Sequence, residues 1–149
     1  MRGWLFVSLL LTALLLGTTF AHVLEISAKR RMAGALWTTL QQRLYRAFAT
    51  VGGAVEIGAI LSTAALTWVL HGKGRGLAAG AFGCFLVAFA LVWIGMVLPV
   101  NRVVLRWDTA RIPSDWASWR RRWDRGHAIR FGLHLIGFGL LLGLAGFQR

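Results

Sequence analysis

Four long stretches almost free of charge limit what this chain can fold into. Gly3–Leu24 is 22 residues without Asp, Glu, Lys or Arg, and Ala47–Gly72 is 26 residues with Glu56 as its sole charge. Gly76–Asn101 is 26 residues with no charge, and Phe131–Gln148 is 18 with none. Together they cover 92 of 149 residues, which leaves too little polar surface to coat a water-soluble domain of this size. An α-helix rises about 1.5 Å per residue and bilayer hydrocarbon is about 30 Å thick, so about 20 apolar residues cross it. The first three stretches reach that length, and the fourth does when extended back through His127. The runs are continuous rather than alternating, which argues against a barrel. The pattern predicts an all-α integral membrane protein forming a four-helix antiparallel bundle, with spans near 3–24, 50–71, 77–98 and 127–147 in a single membrane domain over 1–149.

The basic connections 25–46 and 102–126, with Arg130 just beyond the second, hold 13 of the 17 Lys and Arg residues. A net charge of +12 is compatible with nucleic acid as a partner. Cations beside hydrophobic spans belong instead to lipid headgroups, so the expected partner is the bilayer and not nucleic acid. Four crossings put both connections on one side, and the positive-inside bias makes that side cytoplasmic, as in a bacterial inner membrane. Met1-Arg2 and the apolar run ending Thr18-Thr19-Phe20-Ala21 also read as a signal peptide cut before His22. The run is longer than a usual signal core and continues into helix-compatible sequence, which favours a retained first span. The lone Cys84 excludes an internal disulfide. His71-Gly-Lys-Gly-Arg-Gly76 reads as a tight turn with His71 in solvent.

Pro113-Ser114-Asp115 reads as a helix start with Ser114 as the N-cap. From there Trp116, Arg120, Trp123, His127, Arg130 and His134 recur at spacings of 4, 3, 4, 3 and 4. They share one face of an interfacial amphipathic helix that kinks near Gly126 and merges with the fourth span. Glycines in the spans (Gly52, Gly53, Gly58, Gly80, Gly83, Gly132, Gly137, Gly139, Gly143) read as seams where helix backbones approach closely.

The two glutamates carry the most information, because both lie in or at the edge of a span. A carboxylate there costs a few kcal/mol unless it is paired, protonated or bound to something. Glu25 can pair with Lys29 at i, i+4, leaving His22 to pack at the interface. Alternatively His22, Glu25, Glu56 and His127 converge, and two imidazoles with two carboxylates would hold a transition metal such as iron, copper or manganese. Asn101, after the helix-stopping Pro99, can bind a substrate carbonyl. Arg130 can neutralise a glutamate or hold an anion. His134 reads as a hydrogen-bonded core histidine, and Tyr45 as an interfacial anchor that can also move a proton. No serine triad or phosphate loop can be assembled, and a bis-histidine haem site is disfavoured by the neighbouring carboxylates.

Three patches carry a resemblance: His22-Val-Leu-Glu25 followed by Lys29, then Leu44-Tyr45-Arg46 leading to Glu56, then Pro99-Val100-Asn101 with a Trp-rich basic helix running into His127-Ala-Ile-Arg130. The chain resembles the anthrone-oxygenase-like family of small four-helix membrane proteins, largely grouped as a domain of unknown function. The resemblance covers nearly the whole chain and is most specific over Pro99–Arg130. It implies a small membrane protein and, by analogy with fungal members, an oxygenase that turns anthrones into anthraquinones. His127, Asn101 and Arg130 are the matching polar positions.

Two functions therefore compete. One is a membrane oxidoreductase of the oxygenase type acting on a lipophilic anthrone- or quinone-like aromatic, with His127, Glu25, Glu56, Asn101 and Arg130 as its working residues and either a metal or no cofactor. The other is a non-enzymatic accessory subunit, or a small-solute carrier with Glu56 as its proton site. Such a carrier would show broken helices, for which Gly52-Gly53 is the only sign.

Overall fold

The computed structural model describes residues 2–45 and 48–147, so Arg46 of the second patch lies outside the described residues. The described chain is all-helical, and no strand occurs among the described residues. Four helices are long and apolar enough to cross a membrane: Arg2–Arg30, Phe48–Val69, Gly72–Val104 and Trp116–Phe147. They are α1 (Arg2–Arg30), α3 (Gly53–Val69, preceded by a π-helical turn Phe48–Gly52), α4 (Gly72–Val87, continued by a π-helical segment Ala88–Val97 into α5, Leu98–Val104) and α6 (Trp116–Phe147). A short α2, Gly34–Arg43, occupies the first basic connection. α1 packs on α3 and α6, and α4 packs on α3 and α6, so the four helices close a ring.

Packing explains where the helices exceed the apolar runs that suggest them. α1 buries Ser8, Thr12, Leu15, Thr19, His22 and Lys29, a stripe of near-3.5 spacing that continues past the uncharged stretch to Lys29. Its outward face carries Phe6, Leu10, Leu14 and Leu24, all exposed and apolar. The second and third long helices join at Leu70–His71 without a separate loop, because Gly72 begins α4 at a φ of 55° that L side chains rarely adopt. His71 is exposed there.

The anticipated amphipathic stretch runs on into the fourth long helix, as expected. Its residues form the first turns of one continuous α6, which starts at Trp116 rather than at Ser114. Asp115 precedes it and accepts the Trp119 indole N–H at 2.9 Å. Gly126 is a contact point: a Cβ there would meet Val97 Cγ2 at 2.7 Å.

Two apolar cores result. One gathers Leu5, Leu15, Leu66, Phe85, Leu141 and Leu144 toward the α3–α4 turn. The other is aromatic, with Trp37, Tyr45, Val97, Val100, Val104 and Trp123 toward the basic connections. α2 closes that end: Trp37 is fully buried, and Gln42 Nε2 donates to the carbonyls of Val104 and Trp107 at 3.1 and 2.9 Å, satisfying the end of α5. Gly34 lets α2 approach the Trp116 ring, which a Cβ would meet at 2.9 Å.

Candidate functional site

Between the two cores lies a layer of polar side chains, each set by its helix register. Glu56, one turn into α3, is buried and points at Arg130 of α6, whose Nη2 donates to Oε2 at 2.6 Å. α3 and α6 are diagonal in the ring, so this pair spans its middle. His134, one turn beyond Arg130, places Nε2 3.3 Å from Glu56 Oε1, and its Nδ1 lies 3.3 Å from Thr19 Oγ1 on α1. One carboxylate thus ties α1, α3 and α6 together.

Glu25 belongs to a second, more exposed group. Its Oε2 accepts the Tyr45 hydroxyl at 2.7 Å, lies 2.7 Å from Lys29 Nζ, and lies 3.7 Å from His22 Nδ1. The Lys29 ammonium sits 4.2 Å from the Tyr45 ring centroid and 4.4 Å from that of Trp123. Burial holds the Tyr45 phenol above its ordinary range, and the Glu25 carboxylate accepting its proton adds to the effect. Tyr45 therefore stays protonated and serves Glu25 as a donor.

The two histidines of the expected site do meet. Their ring centroids are 4.2 Å apart, and His127 also packs against Trp123 at 4.1 Å. Tyr45, Phe48 and Trp123 complete an aromatic collar around His22, with ring centroids 5.1, 5.0 and 5.1 Å from the imidazole, a normal aromatic spacing. Asn101 Oδ1 accepts the Trp123 indole N–H at 3.0 Å, which orients that ring and leaves the Asn101 amide nitrogen as a donor.

His22, Tyr45, Glu56, Asn101, His127 and Arg130 line one cavity together with the small and aromatic residues of both π-helical segments. Glu25 is not among its walls. The enclosed space is about 50 Å³, against roughly 300–1,000 Å³ for pockets that engulf a drug-sized ligand. It admits water, dioxygen or one edge of a ring system. Three buried nitrogens of residues lining this cavity, His22 Nδ1, His127 Nδ1 and Arg130 Nε, have no hydrogen-bond partner in the protein. Such groups are costly to leave unmet and so mark where a ligand's polar atom belongs.

The structure therefore brings five of the six singled-out residues to one cavity and sets Glu25 beside it. The tetrad read as metal ligands does not form. Among the described residues no three His, Cys, Asp or Glu side chains are arranged to hold a metal ion. The physical reason is local pairing: Glu25 is engaged by Lys29 and Tyr45, and Glu56 by Arg130 and His134. The i, i+4 pairing of Glu25 with Lys29 was legible in the sequence.

Sequence reasoning missed Trp123 as a cavity wall and Asp124 altogether. Asp124 is buried, with Arg30 Nε 3.5 Å from its Oδ2 and neither carboxylate oxygen hydrogen-bonded. Its place one residue after Trp123 on the inward stripe was the available signal. Compared with protein-family models, curated proteins and solved structures, the chain matches none.

Proposed function

We propose that the chain is an integral membrane four-helix antiparallel bundle, and that it is an oxidoreductase of the oxygenase type. Its substrate class is a lipophilic aromatic bearing an acidified C–H and a carbonyl, of which an anthrone is the simplest example. The observation that carries this reading is the burial of His127, with its Nδ1 unpartnered, among the residues lining a cavity that also presents Asn101 and Arg130. A base with an unoccupied nitrogen beside two donors suits removal of a proton next to a group that becomes an oxyanion.

The chemistry closes without a metal ligand set. His127 takes a proton from the methylene carbon, and the electron pair moves through the ring to the carbonyl oxygen, which the Asn101 amide and the Arg130 guanidinium stabilise. The carbanion adds dioxygen, two electrons pass from carbon to oxygen, and the resulting peroxide takes the proton back from His127. Loss of water, with departure of the second methylene proton, breaks the O–O bond and leaves a new carbonyl. Anthrone plus O₂ becomes anthraquinone plus water. The 50 Å³ chamber fits this division, with room for dioxygen and the reacting edge while the rest of the ring system lies outside it.

The carrier reading has less behind it. Glu56, its proton site, is committed to Arg130 and His134. Oxygen uptake with an anthrone, measured on purified protein in nanodiscs, tests the proposal. His127→Gln keeps the ring volume approximately filled and is expected to lower the rate by about 10²–10⁴. Unchanged uptake in both His127→Gln and His127→Ala would remove the assignment of the base. Inactivity of the wild type on every hydroxylated aromatic tried would put the accessory-subunit reading first.

A further inference from the structure

The cavity is bounded on two sides by π-helical turns, Phe48–Gly52 from the start of the second span and Ala88–Val97 from the third. Such widened turns leave a carbonyl without its usual helical partner and occur often at functional sites. Here the Gly95 carbonyl accepts Arg122 Nη2 at 2.8 Å. The two spans pack along each other through α3 and α4, yet the Phe48–Gly52 turn and the Ala88–Val97 segment have no extensive contact. The spans part at cavity level. Gly52 and Gly53 line the cavity, and a Cβ on either would meet nothing within 4 Å. Trp93 and Val97 of the third long helix line the same cavity, with Phe89 stacked on Trp93 at 5.4 Å and 10°.

We propose that Gly52 and Gly53 on one side, and Trp93 and Val97 on the other, frame a lateral portal through which a flat, amphipathic aromatic reaches His127 from the headgroup–hydrocarbon boundary. The glycines alone would be only a gap. The second observation is His127, a lining residue of that same cavity, 5% exposed and with a buried Nδ1 that has no hydrogen-bond partner. The depth suits an amphipathic guest, because Tyr45 and Asn101 stand at the connection end and apolar helix surface lies on the other side. A portal also accounts for the mismatch of volumes: the chamber holds the reacting edge, and the opening between the spans receives the rest of the ring system. The identity of the guest rests on the proposed function; the portal does not.

The experiment has two arms. In a Cys84→Ala background reconstituted in nanodiscs, Gly52→Cys is treated with N-(1-pyrenyl)maleimide and with a charged, membrane-impermeant maleimide, with Ala59→Cys as the buried control. The portal requires Gly52→Cys to react at least tenfold faster with the lipophilic reagent, and Ala59→Cys to react with neither. Equal or faster labelling by the charged reagent, or none by either, would overturn it whatever the protein catalyses. The second arm measures anthrone oxidation by Gly53→Leu, for which kcat/KM is expected to fall at least tenfold; an unchanged kcat/KM would overturn the portal as the route of the substrate. If lipophilic labelling occurs and no variant or wild type oxidises anthrone, the portal stands and the oxygenase reading falls.

Discussion

Glu56 and Arg130 meet in the middle of the helical ring, where an isolated charge is most expensive. Replacing Glu56 by Gln leaves the guanidinium buried without a counter-charge, and removing one partner of a buried pair costs about 3–5 kcal/mol. Denaturation of the detergent-solubilised protein is expected to show a loss of that size for Glu56→Gln, and partial recovery in Glu56→Gln/Arg130→Met. No recovery would mean that the two side chains act independently. The pairing at Glu25 is different in kind, since its side chain is 37% exposed and solvent screens it. Tyr45→Phe removes one donor and leaves Lys29 in place, so the same assay should read a loss of only about 1 kcal/mol. A larger loss would show that Tyr45 holds the aromatic collar around His22 and not only the carboxylate.

At the scale of the helices, glycines in long apolar helices look alike in sequence and differ in the fold. Gly137 admits the Phe85 ring, whose Cε1 a Cβ would meet at 2.6 Å, and Gly126 admits Val97. Gly132, Gly139 and Gly143 on the same helix have nothing within 4 Å of a Cβ, as do Gly52, Gly53 and Gly83. The seams inferred from composition are thus real at a few positions and absent at most. Gly137→Ala and Gly126→Ala should each destabilise by about 1–3 kcal/mol through overpacking. Gly132→Ala and Gly139→Ala should be neutral or slightly stabilising, because Ala is the better helix former. Thermal unfolding of the four variants side by side checks this, and equal effects in all four would refute the contact geometry.

For the molecule as a whole, the proposed four crossings place the α3–α4 turn opposite both basic connections. In a Cys84→Ala background, Arg75→Cys and Arg111→Cys should react with an impermeant maleimide from opposite faces of oriented vesicles. Labelling of both from one face would rule out the topology. The closed ring of packing also ties the two ends of the chain together: α1 and α6 are neighbours, and Leu5 and Leu15 share a core with Leu141 and Leu144.

The number, the approximate placement and the apolar character of the long helices were legible in the residues alone. Uncharged runs long enough to cross hydrocarbon have few ways to satisfy their backbone groups, and a helix does so within each segment. The i, i+4 spacing of Glu25 and Lys29 and the inward stripe from Trp123 to His134 were local regularities of the same kind. Which helix faces which was not local. The choice between a metal tetrad and separate ion pairs turned on whether Glu56 meets His127 or Arg130, side chains 71 and 74 positions along the chain. That distance in sequence is crossed only by packing. The gap beside Gly52 arises in the same way, from where two helices stop touching, and no residue type announces that in advance.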